Sequence, residues 1–148
     1  MSKRLAVLAA LKAMIRNALP QATVLGLDGH EAPPASVPRG GLVVIRTGDP
    51  GEPVEVTMSP LTYWWDHAIT VEVSAMRTSD LTSEQALDAM LVAIGAAITT
   101  DRTLGGLCDW VEPAAPATDD IYPEGGGLPP RGADLIITAS YSTPSPLA

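Results

Sequence analysis

The sequence contains no phenylalanine, a single cysteine and two histidines, and only 4% of its residues are aromatic. One thiol, Cys108, cannot close an internal disulfide, and a secreted domain more often carries an even set of cysteines, so a cytosolic origin is expected. His30, His67 and Cys108 fall in three separate segments with no HxxxH, HxH or CxxC spacing, so neither a metal site nor a cofactor is expected. No apolar run reaches the ~18 residues that a membrane span needs. The opening "MSKRLAVLAALKAMIRNALP" has the basic start of a signal peptide. Lys12 and Arg16 interrupt its apolar run, however, and its spacing suits an amphipathic helix better.

Positive charge is also scarce, with 9 Lys and Arg against 17 Asp and Glu and a net charge of −8. Lys3, Arg4, Lys12 and Arg16 all lie before Pro20, which leaves five basic side chains among 17 acids in the rest of the chain. Affinity for nucleic acid comes largely from Lys and Arg displacing counterions, so this body is a poor binder of phosphate backbones. Such a body can let DNA pass without holding it.

What is present is 148 residues, 46% of them hydrophobic, enough for one domain (1–148) built of two packed layers. Leu5, Leu8, Leu11, Ile15 and Leu19 recur at helical steps and predict a helix from about Ser2 to Leu19, with Lys3, Arg4, Lys12, Arg16 and Asn17 on its wet side. The Gly- and Pro-rich stretch from Gly26 to Gly41 reads as a loop after a short strand at Ala22 to Leu25. "LVVIRT" and "PVEVTM", joined by "GDPGE", predict a hairpin. The long run "LTYWWDHAITVEVSAMR" predicts the longest strand, with Ile69, Val71 and Val73 inward and Ala68, Thr70, Glu72 and Ser74 outward.

"LTSEQALDAMLVAIGAAITT" predicts a second helix, with Thr82 and Gln85 as a capping box and Leu87, Met90, Leu91, Ile94 and Ile98 as its apolar stripe. Its other side carries Ala89, Val92, Ala93, Gly95 and Ala96, so this helix is expected to be covered on both sides, by its own fold or by a second subunit. Two strands follow, "LCDWVEP" and "ADLIITASYST". The connector between them holds five Pro and four Gly within 20 residues and predicts a mobile loop at about 113–133. The fold class expected is α+β, a twisted antiparallel or mixed sheet of about four to six strands with two helices mainly on one face.

Several stretches could carry chemistry. Cysteine catalysis by Cys108 needs a base held by an orienting group. Asp66 and His67 are neighbours on a strand and point to opposite faces, which speaks against a base with its orienter, and Cys108 reads as a small core residue; a small thiol or acyl-transfer enzyme using Cys108 is the alternative from another class. Asp119 and Asp120 read as a solvated acidic turn. "DRTLGG" lacks phosphate-loop spacing and lies at the wrong end of a helix to bind phosphate, so Gly105 and Gly106 are expected to turn the chain back into the sheet. In "TYWWDH" one tryptophan is expected in the core and the other at the surface or an interface.

The order of these elements resembles that of the tail terminator, or tail completion, proteins of long-tailed bacteriophages and phage-derived gene transfer agents. The resemblance rests on the helix "RLAVLAALKAMI", the strand "WWDHAITVEV", the helix running into Asp101, Thr103, Leu104, Gly105 and Gly106, and the last strand "LIITASYST". It implies a non-enzymatic virion protein, assembled in the bacterial cytoplasm. Such a protein forms a hexameric ring at the head-tail junction, stops growth of the tail tube and meets the head connector, while DNA passes through without specific binding. Another head-tail connector or neck subunit is the nearest alternative. The candidate contacts for oligomerisation and assembly are Trp65, Ala93, Ala96, Asp101, Arg102, Thr103 and Tyr122.

Overall fold

The structure, a computed structural model, describes residues 1–29, 36–120 and 129–148. Helix α1 spans Lys3–Ala18; the Ser2 hydroxyl caps it by accepting from the Leu5 amide at 3.2 Å. Its buried side chains are Val7, Leu8, Leu11, Lys12 and Ile15. The helix therefore turns a slightly different face inward than its leucines predict: Leu5 is exposed and Val7 takes a core position. Lys12 is a correction to its expected place on the wet side. Its position one turn after Leu8 is a core position, and its ammonium is satisfied there by the Gly26 carbonyl and the Asp28 carboxylate, each at 2.6 Å. A buried ammonium is tolerable only when paired and hydrogen-bonded in this way.

Helix α2 spans Ser83–Thr100. The capping box forms as predicted, with the Thr82 hydroxyl accepting from the Gln85 amide and the Gln85 side chain accepting from the Thr82 amide. Leu87, Met90, Ile94 and Ile98 are buried, and Leu91 is half-buried.

Against the two helices lies a mixed sheet of seven strands, β1 (Thr23–Leu25), β2 (Leu42–Ile45), β3 (Glu55–Thr57), β4 (Thr62–Ala75), β5 (Trp110–Pro113), β6 (Ala117–Asp120) and β7 (Arg131–Thr143). The order is β1-β2-β4-β7-β5, with β3 also on β4 and β6 also on β7. Among the described residues only the β1–β2 pair is parallel; the other pairs are antiparallel. The α+β class and the one-sided helix layer match the expectation, with more strands because short pieces share the two long ones.

The expected hairpin between "LVVIRT" and "PVEVTM" does not form. β2 pairs with Val71 to Ser74 of β4, whereas β3 pairs with Thr62 to Trp64 at the other end of that strand. β4 is 14 residues long and so offers two separate docking places on one edge. The "GDPGE" segment runs between them and touches β4 at the Asp49–Ala68 bridge. A second correction concerns the connector at 113–133. Within it β6 pairs with Gly132, Ala133 and their neighbours on β7, because the far end of β7 would otherwise be an open edge. Positions 121–128 of that expected loop lie outside the described residues.

The odd-numbered residues of β4 and β7 face the helices and, Gly132 apart, alternate with exposed or half-buried even-numbered ones. Ile69, Val71, Val73, Leu135 and Ile137 thus meet Leu8, Leu11, Ile15, Leu87, Ile94 and Ile98 in one hydrophobic cluster. Each such aliphatic side chain removed from water contributes about 1.5–3 kcal/mol before ordering costs.

Candidate assembly surface

The corner after α2 is built by its own polar groups. Asp101 caps the helix, and its carboxylate accepts from the Thr103 amide and hydroxyl and from the Gly105 amide at 2.8–3.1 Å. These hydrogen bonds, the Thr103 hydroxyl's first, hold its pKa below the ordinary carboxylate value. Gly105 and Gly106 take φ of 70° and 92°, which turns the chain toward the sheet as expected. Leu104 also adopts positive φ (50°), a conformation strained for a side chain, and its side chain is buried in the core cluster. Arg102 reaches across to β5, donating to the Val111 carbonyl and the Glu112 carboxylate and lying 4.6 Å from the centre of the Trp110 ring. Asp101, Arg102 and Thr103 therefore sit together at the surface and already hold the corner in shape.

The tryptophan pair divides as expected, and Trp65 is the inward member. It is 8% exposed, and its indole N–H donates to the Thr143 hydroxyl at 2.8 Å. Trp64 is half-buried on the other face. Trp65 therefore leaves little surface for a contact with another chain. Tyr122 lies outside the described residues, as does His30.

Cys108 precedes β5, is 5% exposed, and burial pushes its thiol up to about 11. A thiolate is the nucleophile in cysteine chemistry, and at neutral pH this one is almost entirely protonated. Asp66 is exposed and His67 is fully buried, as the strand alternation requires. His67 is instead a structural group. Its Nε2 lies 2.7 Å from the Thr47 carbonyl, which can only accept, so Nε2 carries the proton; Nδ1 then accepts from the Tyr141 hydroxyl at 3.1 Å. Burial lowers its pKa. Among the described residues no group of three or more His, Cys, Asp or Glu could hold a metal ion, and no helix is long and apolar enough to cross a membrane.

What the fold leaves uncovered is apolar surface. From Ala89 to Thr100 helix α2 carries no charged side chain, yet Ala89, Val92 and Ala96 are exposed, Val92 at 63%, and Ala93 is half-buried. The chain's own layers therefore cover only one side of this helix. A second bare surface is the β3–β4 arm, where Val54, Val56, Met58 and Leu61 are 43–75% exposed. No family model and no curated protein matches this chain. The geometry of its surfaces therefore carries the functional argument.

The sheet face turned away from the helices is of another kind. Thr70, Glu72, Ser74, Thr138, Ser140 and Ser142 line it, with the Ser140 hydroxyl donating to Asp66 at 2.6 Å and Arg46 paired with Glu72 at 2.9 Å. Ile136 and Trp110 are its exposed large apolar side chains. The missing charges from Ala89 to Thr100 mark the α2 surface in the sequence. The β3–β4 arm is not marked there, because a strand with Val54 and Val56 on one face reads as half of a hairpin.

Proposed function

We propose that this chain is a structural virion protein of the tail-terminator type. It forms a ring that caps the head-proximal end of a tail tube, ends tube growth and presents a joining surface to the head connector. The observation that carries the proposal is the bare side of α2, an uncharged helical surface at Ala89, Val92, Ala93 and Ala96 facing away from the core. Apolar surface of this kind on a folded domain marks a contact with another protein. A cyclic ring joins unlike patches on successive copies, so each copy presents two different surfaces. The acidic body, with a net charge of −8, supports a channel through which DNA moves without adhering. The hexameric number and the tube and head partners come from the resemblance in element order. A role at the virion's head-tail junction follows from the same reading.

The test is negative-stain imaging of the purified protein alone and mixed with tail tubes. The expected images show rings in solution or at one end of each tube. A ring that binds head connectors and ignores tubes would move the chain to the neck subunits. A protein that binds neither would overturn the proposal.

A further inference from the structure

The β3–β4 arm and a groove at the opposite end of the same strand are complementary in shape class and charge. In the β3–β4 register Val56 pairs with Tyr63, and continuing it places Val54, Met58 and Leu61 on the same face of the arm. That face is unpartnered: Val54 is 63% exposed, Val56 46%, Met58 75% and Leu61 43%. The acids of the arm, Glu52 and Glu55, are exposed and form no ion pair among the described residues.

At the far end of β4, roughly 45 Å away at the usual rise per strand residue, an open groove of about 520 Å³ lies between the sheet and the start of α2. Met76, Leu81, Ala86, Ala89 and Met90 line it, with Arg39 as its one ionisable side chain among the described residues. Arg77 stands beside it, in a neighbouring depression that shares Thr78 and Leu81 and also holds Asp80. Arg39 and Arg77 are exposed and form no ion pair among the described residues. One end of the molecule is therefore apolar with unpaired acids, and the other is concave and apolar with unpaired arginines.

We infer that the β3–β4 arm of one copy docks its Met58–Leu61 tip in the Met76–Met90 groove of the next copy, which brings the acidic arm to the end of the molecule that carries Arg39 and Arg77. The occupant is a second copy of this chain because the knob and the hole carry opposite charge and lie at opposite ends of one 14-residue strand. They leave each other free within a copy, so the contact repeats head to tail. Repetition through unlike patches closes into a ring or runs on as a filament. The inference deepens the proposed ring by naming its contact, and it rests on self-assembly alone, not on what the ring caps.

Mixing two half-defective variants tests it. Met58→Asp spoils the arm and Leu81→Asp spoils the groove; both positions are exposed, so circular dichroism should show native folds. Size-exclusion with light scattering should give the multimer mass for the unaltered protein and the monomer mass for each variant alone. The mixture should give twice the monomer mass and nothing larger, since the intact arm of one variant fits the intact groove of the other once only. Variants that assemble like the unaltered protein would overturn the contact. So would a mixture that stays monomeric, or an unaltered chain that stays monomeric up to millimolar concentration. A ring that forms through this contact and leaves tail tubes growing would instead overturn the terminator reading and keep the contact.

Discussion

Replacing His67 by leucine tests the most demanding polar arrangement in the core. His67 is fully buried and bridges the Thr47 carbonyl and the Tyr141 hydroxyl. His67→Leu keeps comparable bulk and leaves both partners without the ring. Tyr141 is buried, whereas Thr47 is exposed and its carbonyl can bond water instead; a buried polar group left unpaired costs about 1–3 kcal/mol. The variant should therefore be less stable by about 1–3 kcal/mol at pH 7.5, read as a drop in the urea midpoint at unchanged slope.

The pH dependence is the sharper readout. Burial is the main cause of the lowered pKa; the positive charge of Arg4 adds to it, while the Thr47 hydrogen bond and Asp49 oppose it. A histidine with a folded pKa below its unfolded value of 6.5 is neutral in the native state and takes up its proton first in the unfolded chain. Its stabilising contribution is complete above pH 6.5 and is lost as the pH falls toward the folded pKa, at up to about 1.4 kcal/mol per pH unit. Asp101, whose pKa is lowered from 3.8, loses its contribution only in more acid solution, outside this window. Between pH 7.5 and 5 the unaltered protein should therefore lose stability that His67→Leu does not lose. Identical pH profiles, or a wild-type protein that gains stability on acidification, would refute the neutral bridging role.

Other expectations concern single residues. Cys108, with its thiol raised to about 11 by burial, should react with a thiol reagent at pH 8 only as fast as the chain opens, and denaturant should speed the reaction steeply; rapid labelling under native conditions would contradict the burial. Gly48→Ala should cost at least the ~1–3 kcal/mol of a left-handed non-glycine residue, because φ is +64° and an added Cβ would collide with the Ala68 carbonyl; thermal unfolding measures the loss. Arg102→Ala should remove about 1–2 kcal/mol from the corner, combining a partly exposed ion pair and a cation–π contact; a change in Trp110 fluorescence should accompany it.

The two helices and the two long strands were legible because their apolar periodicity and caps are local signals. Thr82 and Gln85 specify the start of α2 within four residues, and alternation along β4 separates Asp66 from His67 without any tertiary information. Lys12 reads as a wet-side residue because a charge at a core position is explained only by Gly26 and Asp28, which the fold brings to it. The β2–β3 hairpin failed for a related reason: a turn signal such as "GDPGE" says that the chain bends, and the pairing is decided by β4, whose length accommodates both strands. β6 was invisible because "ATDD" has little intrinsic strand preference; the unpaired end of β7 recruits it. Of the surface, the uncharged side of α2 could be read from composition, whereas the arm and groove at opposite ends of β4 required the register.

The central claim is that the chain ends the growth of a tail tube. Tube protein polymerised in vitro with and without the purified chain, with lengths measured by electron microscopy, addresses it directly. The account predicts that the chain arrests elongation at substoichiometric ratio to the tube protein and leaves a ring of density at one end. Tubes that keep elongating at the same rate, with bare ends, would contradict it.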